Sequence, residues 1–126
     1  MGRNTLTRIQ PQYVAGMIDA DGCVRISGGT TQYVSITNRY LPVLFKMREQ
    51  YGGNVRVDRN VYRYEATGKA ARALLRDVIP DLEEKGEQAR LCLEFSMFPP
   101  RSAQRKMIAK RIADLKKICY VSREAL

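Results

Sequence analysis

The chain has 126 residues, of which 44% are hydrophobic, and it carries a formal net charge of +9 with no histidine. That length suits one domain over residues 1–126 with a core of its own. No apolar run approaches the ~18 residues of a membrane span, and the opening MGRNTLTRIQ lacks an apolar signal-peptide core, so a soluble intracellular protein is expected.

The first element expected is a helix over about Pro11 to Ala20. Pro11 suits a first turn, and Thr7 or Gln10 lies just before it. Cys23 to Ser27 alternates, with Val24 and Ile26 on one side and Cys23, Arg25 and Ser27 on the other; Gly28-Gly29 then signals a hairpin. The return strand, Gln32 to Asn38, turns Val34 and Ile36 inward and Tyr33, Ser35 and Thr37 outward. Leu41 to Tyr51 is a helix with Leu41, Leu44, Phe45 and Met47 apolar, opened by Pro42 and closed by Gly52-Gly53. A second hairpin turns at Arg59-Asn60. Val55 and Val57 face inward, as do Tyr62, Tyr64 and Ala66, while Asn54, Arg56, Asp58, Val61, Arg63 and Glu65 face the other way. Lys69 to Val78 is a helix resting on Ala70, Ala73, Leu74 and Leu75, and Pro80 breaks it. Gly86 to Met97 is the next, with Leu91, Cys92 and Phe95 apolar. After Pro99-Pro100 a basic helix runs from about Ser102 to Cys119, with Met107, Ile108, Ile112, Leu115 and Ile118 as its buried stripe.

The fold class is therefore α+β: an α-β-β-α-β-β-α core over about residues 11–98, with a C-terminal helical extension over about 101–126. Two hairpins give one four-stranded antiparallel sheet, with helices on its apolar face. The open face carries Arg25, Ser27, Tyr33, Ser35, Thr37, Arg56, Asp58, Arg63 and Glu65. A face of this kind is often merely solvated. The net charge of +9 favours a polyanionic partner instead, double-stranded DNA first, because a two-stranded ribbon fits the major groove. The charge is also uneven. Arg101 to Glu124 holds eight Lys or Arg and two acids, whereas Asp77 to Glu87 holds five acids and one lysine, Lys85.

Chemistry is restricted by what the chain lacks. Without histidine there is no His general base and no His-containing zinc site. Cys23, Cys92 and Cys119 form no C-x-x-C pair, which argues against a zinc ribbon or a disulfide framework. Asp19 to Gly22 opens like a calcium loop, but Cys23 and Thr30 stand where an EF-hand needs ligands. No Walker A or G-x-G-x-x-G run supports a nucleotide cofactor.

Residues Val14 to Gly22 read VAGMIDADG. Val14, Met17 and Ile18 make a bulky stripe for the chain's own core. Ala15, Gly16, Asp19 and Ala20 make a small-residue stripe that lets a second helix approach closely. The chain has one such helix, so a C2 homodimer supplies the second; the alternative is packing against the chain's own C-terminal helices. Asp21 ends the helix, where the helix dipole disfavours a carboxylate. A pair of them near a twofold axis needs a divalent cation, and oxygen donors suit Mg²⁺.

The VAGMIDADG segment resembles the motif of the LAGLIDADG homing endonucleases, departing only at Val14 and Met17, apolar for apolar in both cases. The order of elements over about Pro11 to Phe98 resembles that family's core as well. The resemblance implies a metal-dependent DNA endonuclease that cuts both strands across the minor groove; a homodimer implies a palindromic or near-palindromic site. It further implies that Asp21 holds the metal with help from the Ala20 carbonyl. Asn38 matches a polar residue that orients water. Lys85 matches a basic residue preceding a helix, and Arg39 is the nearest candidate for a further basic residue after the strand. Asp19, the other motif acid, reads equally well as a structural hydrogen-bond acceptor. Two other functions fit the same scaffold: a catalytically silent DNA-binding regulator, and an RNA maturase. Asp21, Asn38 and Lys85 together favour cleavage. The frame is expected to be intron-borne or free-standing, since the chain is short and holds no splicing motifs.

Overall fold

A computed structural model describes the backbone of residues 8–125 and the side chains of residues 8–117. Thr7 and the side chains of Ile118 and Cys119 lie outside the described residues.

The elements follow the order α1 (Pro11–Asp21), β1 (Gly22–Ser27), β2 (Thr31–Asn38), α2 (Leu41–Tyr51), β3 (Asn54–Asp58), β4 (Val61–Thr67), α3 (Gly68–Val78), a 3₁₀ turn (Ile79–Asp81), α4 (Gly86–Phe95) and α5 (Ala103–Ala125). This is the α-β-β-α-β-β-α order expected from the sequence, followed by two helices. The four strands form one antiparallel sheet in the order β1-β2-β4-β3. Arg25 faces Tyr33 and Cys23 faces Ser35 across the first hairpin. Ser35 faces Glu65 and Thr37 faces Arg63 between β2 and β4. Arg56 faces Arg63 in the second hairpin. Because a strand alternates its side chains, this register gathers the predicted open-face residues on one side of the sheet.

The other side is the core. Val24, Val34, Ile36, Tyr64 and Ala66 of the sheet pack with Val14 and Ile18 of α1, Leu44 and Met47 of α2, and Leu74, Leu75 and Val78 of α3. Cys92 and Phe95 of α4 and Ile108 and Ile112 of α5 complete it. Burial pushes the pKa of the Cys92 thiol up to about 12, so it is a core side chain and not a nucleophile. Gln32 is buried on the same side. Its Nε2 donates to the Cys92 carbonyl at 3.1 Å, and its Oε1 accepts from Arg72 at 2.9 Å. This polar tie joins β2 to α3 and α4 and satisfies a group that would be costly to bury unpaired.

Three apolar residues expected inside lie outside. Met107 is 70% exposed and Val57 67% exposed. Val57 points to the helical side of the sheet, but it sits on the edge strand, beyond the cover of the helices. Phe45 is exposed too, with the Arg48 guanidinium 4.6 Å from its ring centroid; Val43 takes the inward position instead. No described helix is long and apolar enough to cross a membrane.

Candidate active site and nucleic-acid interface

The end of α1 organises the first site. The helix starts at Pro11 without a side-chain cap and stops where the Gly22 N–H donates to the Ile18 carbonyl. A Cβ on Gly22 would lie 2.7 Å from the Ile18 Cα and 2.8 Å from its carbonyl oxygen. Only glycine lets the chain turn directly from helix into strand at that point, and this is a physical reason for the last residue of VAGMIDADG. Asp21 is thereby held as the final helical residue, exposed. Its carboxylate has no hydrogen bond or ion pair among the described residues.

Asp19 is used quite differently. Its carboxylate accepts backbone N–H groups from Glu83 at 2.7 Å, Glu84 at 3.2 Å and Lys85 at 3.0 Å. Three amide donors offset the unfavourable placing of an acid near a helix C-terminus. They also tie the loop before α4 to α1. The same loop delivers Lys85, whose Nζ donates to the Asp19 main-chain carbonyl at 2.7 Å. A cation on the unsatisfied carbonyls of a last helical turn is favourable. Lys85 is therefore half-buried and fixed from both its backbone and its ammonium, on the helix end that carries Asp21. Of the two readings open for Asp19, the structural acceptor is the one observed.

Asn38 ends β2. Its Oδ1 accepts from the Tyr40 N–H at 2.8 Å, and its amide lies 3.7 Å from the Met17 sulfur. Its oxygen is thus committed to the turn into α2 and its amide faces α1. Arg39, next to it, is exposed.

The remaining α1 residues divide otherwise than the sequence suggests. Ala15 is fully buried in the chain's own core, which corrects its placement on the outer stripe. At about 100° per residue, Ala15 lies only about 60° around the helix from Ile18, whereas Gly16 and Ala20 each lie about 160° from it. Gly16 and Ala20 are exposed, together with Gln12 and Tyr13. The open stripe is Tyr13, Gly16 and Ala20, and Tyr13, 54% exposed, is the member that sequence reasoning misses.

The open sheet face is the second site; each of its two acids is paired with an arginine, and Arg25 rests on a tyrosine ring. Arg56 donates from Nε to Glu65 Oε1 at 2.9 Å and from an η nitrogen to Glu65 Oε2 at 3.3 Å. The Tyr33 hydroxyl donates to Glu65 as well. The Arg25 guanidinium lies over the Tyr33 ring, 4.2 Å from its centroid. Arg63 donates to Asp58 from Nε at 2.8 Å and also from an η nitrogen; its other η nitrogen is 3.4 Å from Ser35 Oγ. The Tyr33 hydroxyl and then Arg56 hold the Glu65 carboxyl below its usual range. Arg63 does the same for Asp58. Ser35 is only 2% exposed, covered at the middle of the face. Thr37 and Ser27 stand toward opposite ends of the face, both half-buried. Beside the edge strand β1, Lys116 of α5 donates to the Cys23 sulfur at 3.2 Å, so the basic helix borders this face.

No protein-family model and no curated protein matches the chain. Among solved structures it is similar to two of the homing endonuclease I-CvuI. One is in complex with the I-CreI target in the presence of 2 mM Mg, with the DNA not cleaved. The other is in complex with its own target in the presence of 2 mM Ca. Each is 18% identical, with a TM-score of 0.69 over 91% of this chain and 85% of the neighbour. The chain thus has the fold of the homing endonuclease I-CvuI.

Proposed function

We propose that this chain is a site-specific endonuclease for double-stranded DNA that works as a homodimer with a divalent cation, Mg²⁺ by the chemistry of its donors. One observation carries the reading: α1 ends in an exposed carboxylate, Asp21, that has no partner among the described residues, and a lysine drawn from a distant loop is pinned on the same helix end. The lysine suits a helix C-terminus by itself, but the exposed carboxylate works against the helix dipole and is accounted for by a bound cation.

The dimer follows from Gly16. A Cβ there would meet nothing within 4 Å, so the chain's own packing does not require glycine. Glycine inside a helix costs roughly 0.5–1 kcal/mol relative to alanine. A partner helix packed against Tyr13, Gly16 and Ala20 accounts for that cost, and C2 symmetry brings two copies of the α1 end together.

The donor set fits a hard cation. Asp21 supplies a carboxylate that no other side chain claims among the described residues, and the Ala20 carbonyl is one residue before it; one chain offers no cluster of three acidic, His or Cys ligands among the described residues. Two chains and DNA phosphates would complete an all-oxygen shell. Such a cation, when bound, lowers the pKa of water and stabilises charge on a phosphoryl group. The chain's own residues do the rest. The Lys85 ammonium, held on the Asp19 carbonyl, would neutralise charge developing on the scissile phosphate. Asn38 offers an amide for orienting water, and the sheet face holds the duplex in register through Arg25, Arg56 and their neighbours. The complexes of I-CvuI with DNA targets are consistent with this use of the fold.

The test is incubation of the purified protein with a duplex selected from a random library, with Mg²⁺ or with EDTA. Cutting of both strands with Mg²⁺, and binding without cutting in EDTA, is the expected result. Binding with no cleavage under any divalent ion would leave a regulator, and preference for a structured intron RNA would leave a maturase.

A further inference from the structure

The open face carries three arginines and two acids whose pairing crosses every strand. Arg25 is on β1, Tyr33 on β2, Glu65 on β4 and Arg56 on β3. Arg25 lies on the Tyr33 ring, Tyr33 donates to Glu65, and Glu65 grips Arg56. Glu65 is the junction of this series of pairings.

The manner of the grip matters. A guanidinium has two forks, one made by Nε with an η nitrogen and one made by the two η nitrogens. Glu65 takes the first. The second fork of Arg56 is left to donate outward, and the Arg56 side chain is 60% exposed whereas that of Glu65 is 22% exposed. An outward fork is the geometry that reads O6 and N7 of guanine. Arg63 is the contrast: Asp58 takes its Nε fork, Ser35 lies at its remaining η nitrogen, and the side chain is only 28% exposed.

On the reading of this face as a DNA interface, we propose that Glu65 is a specificity-determining positioning residue. It does not itself read a base. It aims Arg56 by holding its inner edge, and it steadies Arg25 by fixing the ring on which that guanidinium rests. An arginine released from Glu65 would gain rotamers and would reach backbone phosphates, which carry no sequence information. Removing the carboxylate should therefore raise affinity for unrelated duplex and lower discrimination at the positions that Arg56 and Arg25 read. One well-placed bidentate interaction corresponds to about fivefold to 150-fold in discrimination.

The experiment is selection from a randomised duplex pool without divalent ions, run in parallel with the natural chain, Glu65→Gln, Tyr33→Phe and Asp58→Asn. The natural chain should enrich a defined symmetric sequence. Glu65→Gln should bind random duplex at least as tightly and lose sequence preference at two positions per half-site. Tyr33→Phe keeps the ring and removes only the hydroxyl, so it should weaken preference at the same two positions, and it tests the proposal if Glu65→Gln does not fold. Asp58→Asn removes the carboxylate from the other paired arginine, Arg63, so the change in sequence preference that it causes should fall at positions other than those two. A uniform loss of affinity for all sequences in Glu65→Gln, or an unchanged enriched sequence in both Glu65→Gln and Tyr33→Phe, would overturn the role of Glu65. A natural chain that enriches no sequence would overturn the DNA reading itself, and the role of Glu65 with it.

Discussion

The end of α1 and the open sheet face are both polar, yet they are assembled in opposite ways. At the helix end the fixing is done by backbone: three amides hold Asp19, one carbonyl holds Lys85, and Asp21 is left with no partner among the described residues. On the sheet, side chains hold side chains, and each acid is matched to an arginine. An unmatched charge on a rigid frame suits chemistry, since its partner arrives with substrate. Matched charges on a face suit recognition, where pairs can be exchanged at a modest cost; exposed ion pairs are worth only about 0–1 kcal/mol each. Substitutions at the helix end should therefore act in large steps, and substitutions on the sheet in graded ones.

The largest step is expected at Gly16. Gly16→Leu should fold as a single chain, because its Cβ meets nothing within 4 Å, but it should sediment as a monomer and not cut. A Gly16→Leu protein that remains a stable dimer with full cleavage would move the interface elsewhere. Lys85 comes next. Lys85→Ala should slow single-turnover cleavage by about 10²-fold with little change in DNA affinity. Asp19→Asn faces a backbone N–H with an amide NH₂ and loosens the same loop. If Asp19 acts by placing Lys85, the double variant should be no slower than Lys85→Ala alone. Additive losses would mean that Asp19 serves stability only, which a thermal melt would show independently.

On the sheet, Arg56→Ala should relax one base position per half-site by about 1–3 kcal/mol. Arg63→Ala should instead weaken the face as a whole, since its guanidinium is engaged by Asp58 and Ser35. Reversal of that pair in a base-substitution series would exchange the roles assigned to the two arginines. The smallest effect is expected on α5. Lys110 is exposed and paired with Asp114 at 3.0 Å. Lys110→Ala should weaken all duplexes alike and lower the salt slope by about one for each phosphate that the lysine neutralises.

The sheet is legible in the sequence because alternating runs are bounded by Gly28-Gly29 and Arg59-Asn60, and alternation assigns faces without knowledge of neighbours. Ala15 misleads because it sits on the flank of the helix, where a small side chain serves a core as readily as an interface. Met107 and Val57 mislead because hydrophobicity does not disclose where an element outruns its cover. The helix-end site is only half legible. Resemblance points to Asp21 and Lys85, but not to the Asp19 clamp that ties the Lys85 loop to the same helix end. Its donors lie more than sixty residues from Asp19 in sequence, and nothing local marks a carboxylate that will gather them. The same holds for Gln32, whose polar ties in the core reach Cys92 and Arg72 across the fold.

On the proposed function, cleavage depends on the Asp21 carboxylate at the end of α1, which has no partner among the described residues. Asp21→Asn keeps the size of the side chain and removes the anionic oxygens that suit a hard divalent ion. A gel shift and a cleavage time course on one selected duplex, with Mg²⁺, measure the two consequences together. Affinity should hold or rise slightly, because negative charge near the DNA phosphates is removed, while cleavage should fall by orders of magnitude. Near-normal cutting by Asp21→Asn would remove Asp21 as the metal ligand and with it the proposed endonuclease mechanism.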